Sequence, residues 1–210
     1  MSDHDHDHPH ETVAADEPPS GARARALEEL LLEKGVVDRD DIRRRIDWLA
    51  SRSPGDGARL VARAWVDPAF KERLLADARA AALELDLDPG PSPVVVALEN
   101  TDLVHHVVVC TLCSCYPRAL LGPPPDWYKS LTYRSRAVSD PRGVLDEFGL
   151  RLDENVEVLV VDSTADIRYL VIPRRPGGTD EMSEEELASL VTRDSMIGVS
   201  EPAEPMPATT

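Results

Sequence analysis

Basic side chains are scarce in this sequence. Lys and Arg total 23 against 39 Asp and Glu, leaving a formal charge of -16 at pH 7 across 210 residues. Phosphate backbones are held by a surplus of Lys and Arg, so this balance excludes a nucleic-acid partner and argues equally against an anionic membrane surface. Long apolar runs are missing as well. No stretch of roughly 18 apolar residues occurs, which excludes a membrane-spanning helix. The polar, acidic start lacks the apolar stretch of a secretory signal. Aromatic residues make up 4%, so a core has to be built from Val, Leu, Ile and Ala. Cysteines number three, at 110, 113 and 115, and with none elsewhere there is no disulfide framework. The expectation from these absences is a soluble cytoplasmic protein of one domain with extensions, or two small domains.

What is present divides the chain into four stretches. Residues 1–20 hold six acids, four histidines and no Lys or Arg. They cannot build a core and read as a disordered His/Asp-rich tail, able to hold a divalent ion loosely. Residues 21–87 carry helical periodicity and read as a helical arm contacting a partner. Leu27, Leu30 and Leu31 recur at helical spacing with Gly35 as the stop, then Ile42, Ile46 and Leu49 share a face. Asp67-Pro68 breaks the pattern and starts a helix that carries Phe70, Leu74 and Leu75 and fades near Leu87. After DPGPSP the period changes, and residues 88–200 read as a layered α/β (α+β) domain. PVVVALE, LVHHVVVC, VEVLVVD and IRYLVIP are its four strands. Asp140-Pro141 opens another helix, and Ser183 with Glu186 forms a capping box. Residues 201–210 read as a second disordered tail.

The three cysteines lie on one turn, CTLCSCY, where the second strand ends. A structural zinc site wants four tetrahedral ligands, and iron–sulfur clusters also want four cysteines. His105 and His106 precede the turn but point to opposite faces of a strand, and they read as strand residues rather than ligands. A redox C-x-x-C has no need of Cys115. The C-S-C tripeptide offers something different. Cys113 and Cys115 thiolates flank the amide nitrogens of Ser114 and Cys115, and both amides, if ionised, complete a planar S-N-N-S set of linked chelate rings. Cys110 can rise as an axial thiolate. Five donors of this strength suit a small trivalent ion, and the sixth position stays open as a Lewis-acid site.

VCTLCSCY resembles the metal-claw motif of nitrile hydratase α subunits and of the related thiocyanate hydrolase γ subunit. The similarity runs on through ALENT, PPDWYKS, YRSR, VLDEFGL, RYLVIPRRPGGT, SEEELASLV and VTRDSMIGV, over roughly residues 25 to 200. The resemblance implies the fold of the nitrile hydratase α subunit and a hydro-lyase reaction that turns a nitrile into an amide. It implies Cys110, Cys113, Ser114 and Cys115 as metal ligands, with Cys113 oxidised to sulfinic acid, Cys115 to sulfenic acid, and both of these as catalytic residues. Thr111 and Tyr116 resemble the cobalt branch, so one non-corrin Co(III) per subunit is implied, with Fe(III) second to it. A β subunit of one or two chains, whose arginines pair with the oxidised sulfurs, and a cobalt-inserting activator protein are implied as partners. Without the β subunit the chain is expected to be inactive.

Two departures from the family pattern concern substrate. Nitrile hydratases carry Trp-Pro where this chain has Arg118-Ala119, and Pro-Arg at this place resembles thiocyanate hydrolase, where a cation beside the metal suits an anion. Pro91 stands where many α subunits place a pocket Gln. Arg118 and Trp127 are therefore the candidate substrate-pocket residues. Arg134, Arg136 and Arg168 are candidates for bracing the claw or an interface, against ordinary surface pairing. Arg193 and Asp194 read as a structural pair. Two alternatives stay open: a thiocyanate hydrolase γ-like subunit forming carbonyl sulfide and ammonia, and a non-catalytic metal-binding or delivery protein using the cysteine turn and the His/Asp tail.

Overall fold

The structure is a computed structural model and describes residues 20–205. The His/Asp-rich tail through residue 19 and the last five residues lie outside the described part. Two compact units divide the chain, one through Ile46 and the other from Asp47. The first unit holds α1 (Ser20–Glu33) and most of α2 (Arg39–Ala50). Gly35, at φ +62, ends α1 in a Schellman turn: its N–H bonds Leu32 O and that of Val36 bonds Leu31 O, both at 3.0 Å. Leu27, Leu30 and Ile46 stay exposed, and α2 buries no side chain.

The second unit begins with three short helices: α3 (Pro54–Val66), α4 (Pro68–Ala76) and α5 (Ala78–Glu84). Asp67 caps α4 as expected, accepting from the Phe70 N–H at 3.0 Å. The expected single helix from Pro68 to near Leu87 is two, because Asp77 turns extended (φ -151) and takes the N–H groups of Arg79 and Ala80, both at 3.0 Å. A side chain that satisfies two orphan donors makes a new helix start cheaper than continuing the old one.

Strands β1 (Val94–Glu99) and β2 (Val104–Val109) follow. The helices α6 (Arg118–Leu121), α7 (Asp126–Lys129), α8 (Leu131–Ser139) and α9 (Pro141–Glu147) come next, then β3 (Glu157–Asp162) and β4 (Ile167–Ile172). Helices α10 (Glu184–Leu190) and α11 (Arg193–Ile197) close the order, α10 with the expected Ser183–Glu186 capping box. The four strands are not one sheet. β1 pairs in parallel with β4 and β2 in parallel with β3, so each pair needs a long crossover. The core sits where the pairs meet helices α3, α4, α6 and α11. Val107, Val109, Leu170, Leu60, Leu74 and Ile197 are essentially sealed from solvent, each such burial stabilising by about 1.5–3 kcal/mol.

Among the described residues, no helix is long and apolar enough to cross a membrane. Residues 201–205 are irregular but fastened, with Pro202 buried and the Ala203 N–H on Leu190 O at 2.8 Å.

Candidate metal centre

The crossover from β2 to β3 opens with the cysteine turn. Register places Val109 beside Asp162, the last residues of the two strands, and the next residue's N–H, that of Ser163, closes on Val109 O at 2.7 Å. Ligand sites on parallel sheets form at such carboxyl ends. Cys110 is 1% exposed, Cys115 half-buried and Cys113 exposed. The three Sγ atoms lie within 4.8 Å of one another. Cys113 Sγ stands 3.4 Å from Cys110 Sγ and 3.3 Å from Cys115 Sγ.

These spacings discriminate between coordination types. With metal–sulfur bonds of about 2.3 Å, sulfurs at right angles stand about 3.3 Å apart and tetrahedral ones about 3.8 Å apart. The observed 3.4 and 3.3 Å match right angles. The amide N–H groups of Ser114 and Cys115 face the Cys113 thiolate, and among the described residues neither bonds an oxygen. Two sulfur pairs at right-angle spacing, beside two amides that bond no oxygen, are compatible with an octahedral ligand set.

The thiols ionise unequally. Cys113 is held below the usual thiol range, first by hydrogen bonds from the Cys115 and Cys110 thiols and then by the two amides. Cys115 is pushed up to about 12 by burial and then by the neighbouring Cys113 sulfur, with the Arg168 guanidinium opposing. Of Cys113 and Cys115, the environment favours negative charge on Cys113.

Side chains from elsewhere in the chain hold the turn mainly by its backbone, and the Cys113 N–H donates to Cys110 Sγ at 3.3 Å within it. Asp162 takes the Thr111 N–H at 3.0 Å and the Thr111 hydroxyl at 2.5 Å. Arg134 donates from Nε to Cys110 O at 3.1 Å and from its terminal nitrogen to Thr111 O at 2.6 Å. The Tyr128 hydroxyl donates to Cys115 O at 2.8 Å, and that of Tyr133 to Val108 O at 2.7 Å. Of the three arginines proposed as braces, Arg134 is one. Arg136 pairs instead with Glu147 and Asp140. Arg168 donates to the carbonyls of Thr164 and Ile167 while lending its charge to Cys115. Asp162 and Tyr133 escape a reading of sequence alone. Asp162 ends the strand VEVLVVD, and only the β2–β3 register brings it to Thr111.

Arg118 opens α6 with its side chain exposed, three residues past Cys115. Trp127 is half-buried, edge-on to Phe148 at 4.7 Å and to Tyr133 at 4.8 Å. Both His105 ring nitrogens are taken, Nδ1 by Asn100 Nδ2 at 3.0 Å and Nε2 by Gly198 O at 2.8 Å, so His105 offers no ligand atom. Arg193 donates to Pro123 O at 3.0 Å and stands 3.9 Å from Asp194.

Comparison with known proteins gives consistent results. The family model described as "Nitrile hydratase, alpha chain" matches residues 19–200. The low-molecular weight cobalt-containing nitrile hydratase subunit alpha of Rhodococcus rhodochrous is 52% identical over 192 residues, 89% of this chain and 91% of that one. Thiocyanate hydrolase subunit gamma of Thiobacillus thioparus is 43% identical over 188 residues, 84% of this chain and 77% of that one. Among solved structures, a double mutant of the Fe-type nitrile hydratase of Comamonas testosteroni Ni1 superposes with a TM-score of 0.82 at 43% identity, covering 91% of this chain and 95% of that one.

Proposed function

The chain belongs to the nitrile hydratase α-chain family, and from that premise we propose that it is the metal-bearing α subunit of a cytoplasmic cobalt nitrile hydratase. The observation that carries the reading is the cluster of three sulfurs on one turn, two of its pairs at right-angle spacing, beside two amides that bond no oxygen. Cys110, Cys113, Ser114 N and Cys115 N and Sγ are the five donors. Cobalt-containing relatives and Thr111 favour non-corrin Co(III), while the Fe-type neighbour keeps Fe(III) as the alternative. A trivalent ion with one open position acts as a Lewis acid that makes a nitrile carbon electrophilic or water more acidic.

The chain's own residues do the rest. Buried Cys110 anchors the set. Cys113, the most exposed of the three sulfurs and one whose thiol is held low, would be oxidised to sulfinate and Cys115 to sulfenate, six electrons in all passing to an external oxidant such as dioxygen. The Cys115 sulfenate oxygen would take the proton of a water that attacks the nitrile carbon, or would attack that carbon itself and then be displaced from it by water, which regenerates the sulfenate. The imidate so produced tautomerises to the amide, and the balance is one nitrile plus one water. Asp162, Arg134 and Tyr128 keep the turn from following the moving charge. Leu112, at the tip of the turn, is 87% exposed, and Leu131 on α8 is 76% exposed. An apolar side chain this open at the tip of the cysteine turn supports a covering β subunit, of one or two chains, and the family reading adds loading by a cobalt-inserting activator protein.

Arg118 favours a second reading. An exposed cation three residues from Cys115 suits an anion, and the related γ subunit belongs to thiocyanate hydrolase. One preparation separates the readings: the complex co-expressed with its β subunit in cobalt medium, offered a nitrile and thiocyanate in parallel. Amide formation supports the first reading, and carbonyl sulfide with ammonia the second. Intact mass of this subunit is expected to show three added oxygen atoms, two on Cys113 and one on Cys115. Unmodified thiols in an active, cobalt-loaded complex would remove both readings.

A further inference from the structure

Resting on the reading of the turn as a Co(III) ligand set, we propose that Ser163 and Tyr128 form a buried hydroxyl relay that positions Cys115. Cys115 supplies two of the five donors, its amide nitrogen and its sulfur, so the orientation of this one residue fixes both. Its carbonyl accepts from the Tyr128 hydroxyl at 2.8 Å. Tyr128 is fully buried, with Tyr116 edge-on at 5.2 Å, Trp127 edge-on at 6.0 Å and Tyr133 tilted against it at 5.7 Å, so the hydroxyl cannot swing away.

Behind Tyr128 stands Ser163, the residue after β3. It is 2% exposed, and its N–H is fixed on Val109 O. Its hydroxyl has no hydrogen-bond partner among the described residues, and it lies near enough to Tyr128 to influence that hydroxyl. A buried hydroxyl left unpaired is destabilising and calls for a partner. The Tyr128 oxygen has already given its proton to Cys115 O, so its lone pairs are the acceptor open to Ser163. Ser163 to Tyr128 to Cys115 O is then a chain of two donors, and such chains polarise one another. Loading the turn gathers negative charge on three sulfurs and two amides. The Cys115 carbonyl becomes a stronger acceptor, and the relay tightens when the ligand set is filled. Asp162 holds Thr111 from the exposed side, and its neighbour Ser163 supports Cys115 from beneath. Both are positioning residues, and neither touches substrate.

Tyr128→Phe keeps the ring contacts and removes the donor. Ser163→Ala removes the far end of the relay, and Ser163→Thr restores a hydroxyl there. Each is co-expressed with the β subunit in cobalt medium and purified as the complex. Four quantities are read: cobalt content, the sulfur-to-cobalt charge-transfer absorption, oxygen atoms on Cys115, and kcat and KM separately. Tyr128→Phe is expected to shift the absorption, leave Cys115 incompletely oxidised and lower kcat about tenfold at unchanged KM. Ser163→Ala is expected to move the same readouts by about threefold, with recovery in Ser163→Thr. If the Tyr128→Phe complex fails to accumulate, the two Ser163 variants decide on the same readouts. Variants matching wild type in absorption, oxygen count and kcat overturn the relay. A wild-type complex without cobalt or the absorption overturns the metal reading instead.

Discussion

β1 and β2 both finish on register-matched parallel pairs, Glu99 beside Ile172 and Val109 beside Asp162, yet the residues after them are built in opposite ways. After β1 comes Asn100, buried, with its side chain fully engaged. Its amide group donates to His105 Nδ1 at 3.0 Å, and its oxygen accepts from the His106 N–H at 2.8 Å and from His106 Nδ1 at 3.1 Å. His105 passes the chain on to Gly198 O. After β2 comes Cys110, where distant side chains hold the backbone at Cys110, Thr111 and Cys115 while the sulfurs meet only groups of the turn itself. A closed network specifies the fold. A satisfied frame around unsatisfied donors makes a binding site, because the cost of holding the donors in place has been met before the ion arrives.

The sharpest way to break this comparison is to disable each end and ask what fails. Cys113→Ser with Cys115→Ser, at one exposed and one half-buried position, is expected to abolish cobalt retention. Turnover should fall at least roughly a thousandfold, with Tm moving by no more than about 3 °C. Metal analysis, amide assay and a thermal melt on the complex read this, and a fully active double variant would erase the distinction. Asn100→Ala should do the reverse. It strips partners from His105 and His106 and is expected to cost about 3 kcal/mol in denaturant unfolding, while turnover per bound cobalt stays near wild type.

Sequence made one of these ends far more legible than the other. The meeting of the three cysteine sulfurs was readable because the C-x-x-C-x-C turn is local: side chains two and three residues apart on one turn come together whatever the rest of the chain does. Asp67, Asp140 and the Ser183–Glu186 box were readable for the same reason, each cap acting within three residues. The frame was not. Thr111 and Asp162 are 51 residues apart, and only the β2–β3 register joins them. Arg134 and Arg136 sit two residues apart in YRSR, and the pattern alone gives no reason for one to reach Cys110 O while the other pairs with Glu147. Asn100 follows β1 and His105 lies in β2, and no local signal announces that His105 reaches Gly198 at the end of α11.

A milder perturbation tests the frame without touching a donor. Asp162→Asn keeps size and one acceptor oxygen but removes the charge, and it places an amide where the Thr111 hydroxyl or N–H now bonds a carboxylate. Charge-assisted bonds are roughly twice as strong as neutral ones, so cobalt loss to a chelator should quicken by roughly fivefold. Unchanged loss would show that Arg134 and Tyr128 suffice to hold the turn.

The smallest expected effect belongs to the Asn100 end and concerns pH. His105 lies below the ordinary 6.5 chiefly because burial penalises its charged form, with the Gly198 carbonyl and Glu201 opposing and Arg174 adding to the fall. His106 is lowered by burial and then by His105. A histidine depressed in the fold binds its proton more readily once unfolded, so between the folded value and 6.5 the unfolded chain carries more protons. The stability from neutral histidines is then complete above pH 6.5 and is lost as pH falls below it. Protonating His105 would also cost its bond from Asn100, since Nδ1 is the acceptor there. Melts of the complex from pH 7.5 down to 5.5 should therefore show a falling Tm, with a shallower slope in His105→Gln, which can both accept from Asn100 and donate to Gly198 O without titrating. An equal slope in that variant would place the pH sensitivity elsewhere in the molecule and leave the Asn100 network as packing alone.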